Sequence, residues 1–214
     1  MLKFNYGEIN ELYKSLNINT NSGDVERLAT RELYHAGVKL VIEPGFIYFK
    51  EDGVVSLAIN NDPRIIGDLI DSMPIGLLEH YCPIVTFHYY CMTPTTLLKL
   101  RQEDFDSIFF NTVPEKMKEL TTVLSFMLIF LLDIHVERRS DSSYHTIKSM
   151  LYRYLYRQSV GGHENEGIAN FILRRTNFSR SYVFRVLADL KDGDYITVKR
   201  GRLISINRKL PNDY

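Results

Sequence analysis

The chain of 214 residues is 45% hydrophobic, 24% charged and 12% aromatic, the composition of a soluble globular protein with room for one large domain or two small ones. Its two cysteines, Cys82 and Cys91, cannot supply an iron–sulfur cluster and fit no structural zinc pattern. The net charge of zero hides a division: residues 1–139 hold 13 Lys/Arg and 19 Asp/Glu, whereas residues 140–214 hold 13 and 7, a basic part suited to a polyanion.

The N-terminus has no apolar segment of the kind a secretory signal needs, which predicts a cytoplasmic protein. Residues 8–33, around Ile9, Leu12, Leu16 and Leu28, carry a weak helical pattern. From Val38 to about Ile108, short apolar runs alternate with turn residues. The runs are Val38–Ile42, Phe46–Phe49, Val54–Ile59, Ile84–Phe87 and Thr96–Leu100, with breaks at 43–45, 51–53 and 60–63. Strands of this length predict a small antiparallel barrel or sandwich.

Pro114 sits where a first-turn proline belongs, and the stretch after it stays apolar to about Val136. A helix of that length that is apolar on more than one side from Phe126 to Leu132 predicts burial against its own domain and against a second copy of the chain; the alternative is the central helix of a monomer. Its most apolar run, Val123–Leu132, is half of the roughly 20 residues a bilayer requires, so no membrane partner is expected.

The polar segment 138–143 reads as a hinge, followed by a helix over 143–158, a break at Gly161-Gly162 and a helix over 164–175. Next comes Phe178-Ser-Arg-Ser-Tyr-Val-Phe-Arg-Val-Leu-Ala-Asp-Leu190. At 100° per residue, Val183, Val186, Leu187 and Leu190 fall within about 100° of one another, while Ser181, Arg185 and Ala188 point the other way. Arg180 and Phe184 lie on one flank and Tyr182 on the other. Ser179 is a good N-cap, and Phe178 can staple onto Val183. Such a helix suits the major groove of DNA. After it, residues 195–206 alternate about a Gly201 turn, as in a β-hairpin wing.

This order of elements resembles the superfamily of the cyclic-AMP receptor protein and FNR, over nearly the whole chain. Glu43-Pro-Gly45, Ile65-Ile-Gly-Asp, Ile75-Gly-Leu-Leu-Glu79 and the strand plus helix Leu97–Phe105 fit the cyclic-nucleotide-binding barrel of that family, and Ser179–Leu190 fits its Ser-Arg-x-x-Val-x-Arg-x-Leu recognition pattern. The stretches from Arg174, Gly193 and Gly201 are similar to the IprA/YaiV-type branch of enteric regulators, named for lowering resistance to hydrogen peroxide. The resemblance implies an α+β chain: a cyclic-nucleotide-binding-like β-barrel (double-stranded β-helix or jelly roll) over 1–111, a dimerisation helix and hinge over 112–139, and a winged helix-turn-helix over 140–214. It implies a homodimeric transcription regulator of stress response that binds double-stranded DNA and meets RNA polymerase.

Family members read base edges with an Arg, a Glu and a second Arg. Arg180 and Arg185 match the first and last, but Ser181 stands where the Glu would be, and a serine pairs with any base where a carboxylate selects cytosine. Arg180 and Arg185 are expected on guanines or phosphates, with Ser179, Ser181 and Tyr182 near the backbone. Arg174, Arg175 and Thr176 before the helix, and Lys199, Arg200 and Arg202 on the wing, are expected on phosphates. The alternative for each is a solvated surface charge.

The family's nucleotide site needs a Gly-Glu pair for the ribose; here Gly76 and Glu79 are present but separated by two leucines, and no Lys or Arg lies between Arg64 and Lys99. A buried phosphate there would have no cationic partner, so cyclic AMP is not the expected effector. The aromatic stretch Tyr81–Met92 either fills the pocket or receives a hydrophobic effector. Haem ligation by His80, His88 or Cys82 is disfavoured, and no cofactor or metal is expected. Cys82 and Cys91 sit among apolar, strand-like residues without a neighbouring cation; inert burial is the expectation, a thiol switch the alternative. An enzyme is not expected, because His145 and His163 have no obvious partners and no phosphate loop, metal cluster or nucleophile motif is present. The alternative class is a protein-interaction adaptor that keeps the winged helix without binding DNA.

Overall fold

Side-chain alternation decides how the N-terminal strands are layered. The computed structural model describes residues 23–59, 64–70, 73–84, 87–111, 114–138, 142–159, 166–212 and 214. They fall into two compact units, one ending at Phe130 and one running Leu131–Tyr214. The expected helix over 8–22, the Gly161-Gly162 break and His163 lie outside the described residues.

The first unit comprises α1 (Gly23–Leu28), β1 (Thr30–Tyr34), β2 (Phe46–Asp52), β3 (Val55–Ile59), β4 (Ile65–Asp68), α2 (Leu77–Tyr81), β5 (Phe87–Cys91), β6 (Thr95–Arg101) and α3 (Gln102–Phe109). The strands form two antiparallel three-stranded sheets of order β1-β6-β2 and β4-β3-β5. Residues of one parity in β2 and β6, Tyr48 and Leu97, join Val55, Leu57, Tyr89 and Cys91 of the other sheet in an inner core. Those of the other parity, Ile47, Phe49, Leu98 and Leu100, pack with Val25, Leu77, Phe105, Ile108 and Phe109 of the helices. The first sheet is thus covered on both faces, which is why β2 and β6 read as continuous apolar runs.

Three expectations are corrected here. The weak helical pattern reaches only to Leu28: Thr30–Tyr34 is an edge strand paired with β6, and tertiary pairing overrides the local pattern. Val38–Ile42 is not a strand and contributes only the isolated Lys39–Tyr90 bridge. In addition, the strand expected over Ile84–Phe87 runs Phe87–Cys91.

α4 (Pro114–Arg138) is a continuous 25-residue helix. Leu120, Val123 and Phe126 are buried, and Met127 packs on the inner core of the barrel. A second apolar line, Met117, Leu124, Leu128 and Leu131, runs at coiled-coil a/d spacing with Thr121 completing it, on a flank about 80–160° round from Val123, and of these Leu124 packs on the helix side of the barrel. Met117, Leu128 (59% exposed) and Leu131 are open to solvent, and the Thr121 hydroxyl already donates to the Met117 carbonyl at 2.8 Å. Among the described residues, no helix is long and apolar enough to cross a membrane.

α2 carries one polar group into the barrel. Gly76, at φ 92°, starts that helix where a Cβ would lie 3.0 Å from the Phe46 carbonyl, so the approach requires glycine. One turn on, Glu79 accepts a 3.3 Å hydrogen bond from the hydroxyl of buried Tyr89, while its Oε1 is buried without a hydrogen-bond partner. Burial pushes the Glu79 carboxyl above the ordinary glutamate range and outweighs the hydrogen bonds that favour its charge. A carboxyl raised in the folded state binds more protons than in the unfolded chain, so stability falls as pH climbs from the ordinary glutamate pKa through the raised one. Glu79→Gln should therefore be more stable than the parent at pH 7 to 8, with the gap closing on acidification towards pH 4. Urea unfolding across that range checks this, and a gap independent of pH would show that the carboxyl is not perturbed.

Candidate nucleic-acid interface

The second unit contains the end of α4, then α5 (Ser143–Ser159), α6 (Ile168–Leu173), α7 (Arg180–Asp192), β7 (Ile196–Lys199) and β8 (Arg202–Ile206). Its core joins Tyr144, Ile147, Leu151 and Tyr154 of α5 to Ile168, Phe171 and Ile172 of α6, the Val183–Val186–Leu187–Leu190 stripe of α7, and Ile196 and Leu203 of the hairpin. The stripe is the one its spacing predicts. It fixes which side of α7 faces out.

The start of α7 is set by Ser179, whose Oγ accepts from the Tyr182 amide at 3.2 Å in an extended cap. The Phe178 ring meets Tyr182 edge-on, with centroids 5.5 Å apart, while packing on the core that contains Val183. Ser179, Arg180, Ser181 and Arg185 are exposed on the outer side and Tyr182 is half-buried. Arg180 lies over the Phe184 ring at 5.9 Å, and Arg185 over the Tyr182 ring at 5.5 Å. The Tyr214 hydroxyl binds Asp189, which holds its pKa above the ordinary phenol value, and the Tyr214 ring stacks on Tyr144 at 5.4 Å.

The wing is a two-residue hairpin. Lys199 pairs with Arg202, and the residues between them, Arg200 (φ 49°) and Gly201 (φ 77°), both have positive φ, the signature of a type I′ turn. Glycine adopts this freely, whereas arginine does so at a cost that asparagine or glycine would avoid. The turn docks on the start of α6, where the Ile168 amide donates to the Gly201 carbonyl at 2.9 Å. Lys199 and Arg200 are exposed; Arg202 is half-buried, near enough to Tyr154 to oppose the rise that burial gives that phenol.

The segment before α7 departs from expectation. Arg174 is exposed, 3.6 Å from Glu166, but Arg175 is only 5% exposed. Its guanidinium lies 3.9 Å from the Phe171 ring centroid and donates to Glu166 at 3.4 Å and to the Phe171 carbonyl at 3.2 Å. Arg175 is thus a packing residue rather than a phosphate contact, because a carboxylate and a ring one turn back draw it inwards. Thr176 is likewise occupied: its hydroxyl donates to the Ile172 carbonyl at 2.9 Å and accepts from the Phe178 amide at 3.4 Å. Cys82 is exposed just beyond α2, contrary to its expected apolar setting; Cys91 is buried and its thiol is raised by burial. Phe184, exposed beside Arg180, is an outer-face group that reasoning from charge and hydrogen bonding passes over.

Residues 143–212 match the family model described as winged helix-turn-helix DNA binding. The chain has the fold of the Crp/Fnr transcription regulators, with that domain at its C-terminal end. The global regulator CLP of Xanthomonas campestris, described as responsive to c-di-GMP, superposes with a TM-score of 0.66 at 17% identity, covering 86% of this chain and 98% of that one. A transcriptional regulator of the CRP family from Thermus thermophilus gives 0.57 at 14% identity, covering 82% and 91%. Among curated relatives, the protein named Inhibitor of hydrogen peroxide resistance of Escherichia coli K12 is 28% identical over 183 residues, 81% of this chain and 78% of its own length. The protein of that name in Salmonella typhimurium is 54% identical over 48 residues, 22% of this chain and less than a quarter of its own length.

The two neighbouring arginines should separate cleanly in a stability measurement. Arg175→Ala empties the space over Phe171 and leaves Glu166 only the more distant, exposed Arg174, and should lower the unfolding free energy by about 3 kcal/mol. Arg174→Ala should change it by no more than about 1 kcal/mol. Chemical denaturation of both variants decides it: equal losses would mean that the buried pair holds nothing in place.

Proposed function

We propose that the protein is a sequence-specific, DNA-binding transcription regulator that acts in the cytoplasm as a homodimer, in a stress response that includes peroxide. The observation that carries the reading is the outer side of α7: a capped helix offers Arg180, Ser181 and Arg185 to solvent while its other side is locked into the core. Arg180 and Arg185 take guanines or phosphates; Ser179, Ser181 and Tyr182 lie near the backbone; Arg174, Lys199, Arg200 and Arg202 hold flanking phosphates. Arg200 supports this, since its exposed cation is kept in a strained left-handed turn position, and among the described residues its side chain makes no hydrogen bond or ion pair. The peroxide link rests on the names of the curated relatives.

Dimerisation is supported by the exposed Met117–Leu128–Leu131 line of α4, which a second copy would cover. Two recognition helices would then read half-sites about 34 Å apart in a pseudo-palindrome and leave the bound dimer free to meet RNA polymerase. Cyclic AMP is not the effector in this reading, because residues 65–98 offer no cation for a phosphate and Glu79 faces Tyr89.

Selection of bound genomic fragments, with and without peroxide, tests the whole reading: a regulator retains a defined set, whereas an adaptor retains none at moderate salt. On a selected site, Arg185→Ala should lose about 1–3 kcal/mol of specific affinity. Arg200→Asn should weaken binding to all sequences alike and flatten its salt dependence, yet leave thermal stability equal or higher. A stability loss instead would mark Arg200 as structural. Leu128→Glu should yield a monomer in sedimentation velocity that no longer prefers a two-half-site DNA, and a variant still dimeric would remove α4 from the interface.

A further inference from the structure

The outer face of α7 is not uniformly polar. With Val183 as the centre of the buried stripe, Phe184 points about 100° away, Ala188 about 140° and Ser181 about 160°, so the three form one outward ridge at i, i+3 and i+7. Phe184 is 50% exposed, in the middle of a 13-residue helix whose other large apolar groups, Val183, Val186, Leu187 and Leu190, are buried. Ala188, one turn on, is exposed as well. The Arg180 guanidinium over the ring leaves the rest of the phenyl uncovered. Around this apolar ridge stand Arg180 and Arg185, and the wing carries Lys199 and Arg200, a basic surround that fits a polyanion.

Resting on the DNA-reading function above, we propose that Phe184, with Ala188 beside it, is a specificity-determining residue that reads the C5-methyl group of a thymine in each half-site. In the major groove the thymine methyl is the apolar feature a base pair presents; the other edge groups are donors or acceptors. A phenyl ring can satisfy none of those, so a guanine or cytosine edge set against it loses its water without gaining a hydrogen bond. Stacking also gives Phe184 a second task. A planar guanidinium held over the ring keeps its N–H groups directed outwards, where Arg180 can bind a guanine or a phosphate. Arg180 and Phe184 are four residues apart, about 6 Å along the helix, which corresponds to roughly two base-pair steps. The expected half-site therefore has a thymine within about two base pairs of the group that Arg180 holds. It is also where an unselective Ser181 leaves discrimination to be supplied by another side chain.

The test replaces thymine by uracil, which deletes the methyl and leaves base pairing intact. The full-length protein is used to select a site from a random duplex library; each thymine of that site is then replaced in turn, and affinity is read by fluorescence anisotropy at fixed salt. One replacement per half-site should weaken the parent protein about fourfold, the ratio that burying one methyl-sized group supplies. The same replacement should leave Phe184→Ala unaffected, and Phe184→Leu should keep part of the sensitivity. Phe184→Ala should also select sites in which that thymine is no longer preferred. A parent protein that selects a site with no uracil-sensitive thymine overturns this inference alone and leaves the DNA-reading function standing. So does a Phe184→Ala variant with the parent's thymine preference and sensitivity, which would make the ring a plain surface group or a contact for another protein. A parent protein that selects no site overturns both.

Discussion

The buried pair of Glu166 and Arg175 is the constraint from which the geometry of the winged helix follows. α6 has six residues, too few to persist on its own helical propensity. It is held at both ends instead. Arg175, just past its C-terminus, reaches back over Phe171 to Glu166, which lies just before its N-terminus. The Tyr154 hydroxyl of α5 donates to the Glu166 carbonyl at 2.6 Å, so the clamp is tied to the helix beneath. With α6 fixed in this way, the turn at Thr176–Phe178 delivers Ser179 to its capping position, and Gly167 comes close enough to Gly201 for the wing to dock. An added Cβ on Gly167 would sit 3.1 Å from the Gly201 carbonyl, so that approach also depends on the absence of a side chain.

The cations of the C-terminal unit are accordingly of two kinds. Arg175 is desolvated and compensated, and its charge is neutralised inside the fold. Arg180, Arg185, Lys199 and Arg200 are exposed, and Arg200 occupies a backbone conformation that arginine disfavours. Burial separates these residues: Arg175 is paired at short range in the interior, while the others are exposed, and Arg200 alone of them carries backbone strain. The excess of basic residues over 140–214 therefore includes an interior, paired arginine as well as exposed cations.

How far the sequence could be read depends on the range of the interactions concerned. The α7 stripe, its Ser179 cap and the wing turn are local, set by residues within a few positions of one another, and were legible from spacing alone. β2 and β6 were legible because burial on both faces of their sheet writes an apolar run, and β3 because residues 55–58 are all buried. β1 was not: Thr30–Tyr34 is a strand because β6 pairs with it some 65 residues on, and its own pattern is exposed and polar. Arg174 and Arg175 look equivalent in sequence and differ only in which of them meets Phe171 in three dimensions. Cys82 and Cys91 lie in similar sequence surroundings, yet the end of α2 exposes one while β5 buries the other.

The barrel interior is packed through a cluster that α4 shares. Tyr48 and Tyr89 are almost wholly buried, and Met127 reaches the same cluster from α4, so the space between the sheets is occupied by the protein's own side chains. The polar remnant is Glu79, held partly by Tyr89 and carrying an unpartnered oxygen that burial penalises. Met127 of α4 lies in the same cluster as Tyr48 and Tyr89, so this packing is shared between the barrel and the helix. On that helix Met117, Leu128 and Leu131 are exposed, and the register of their line follows the turns beneath it. The place where the barrel core and α4 meet is the packing around Met127.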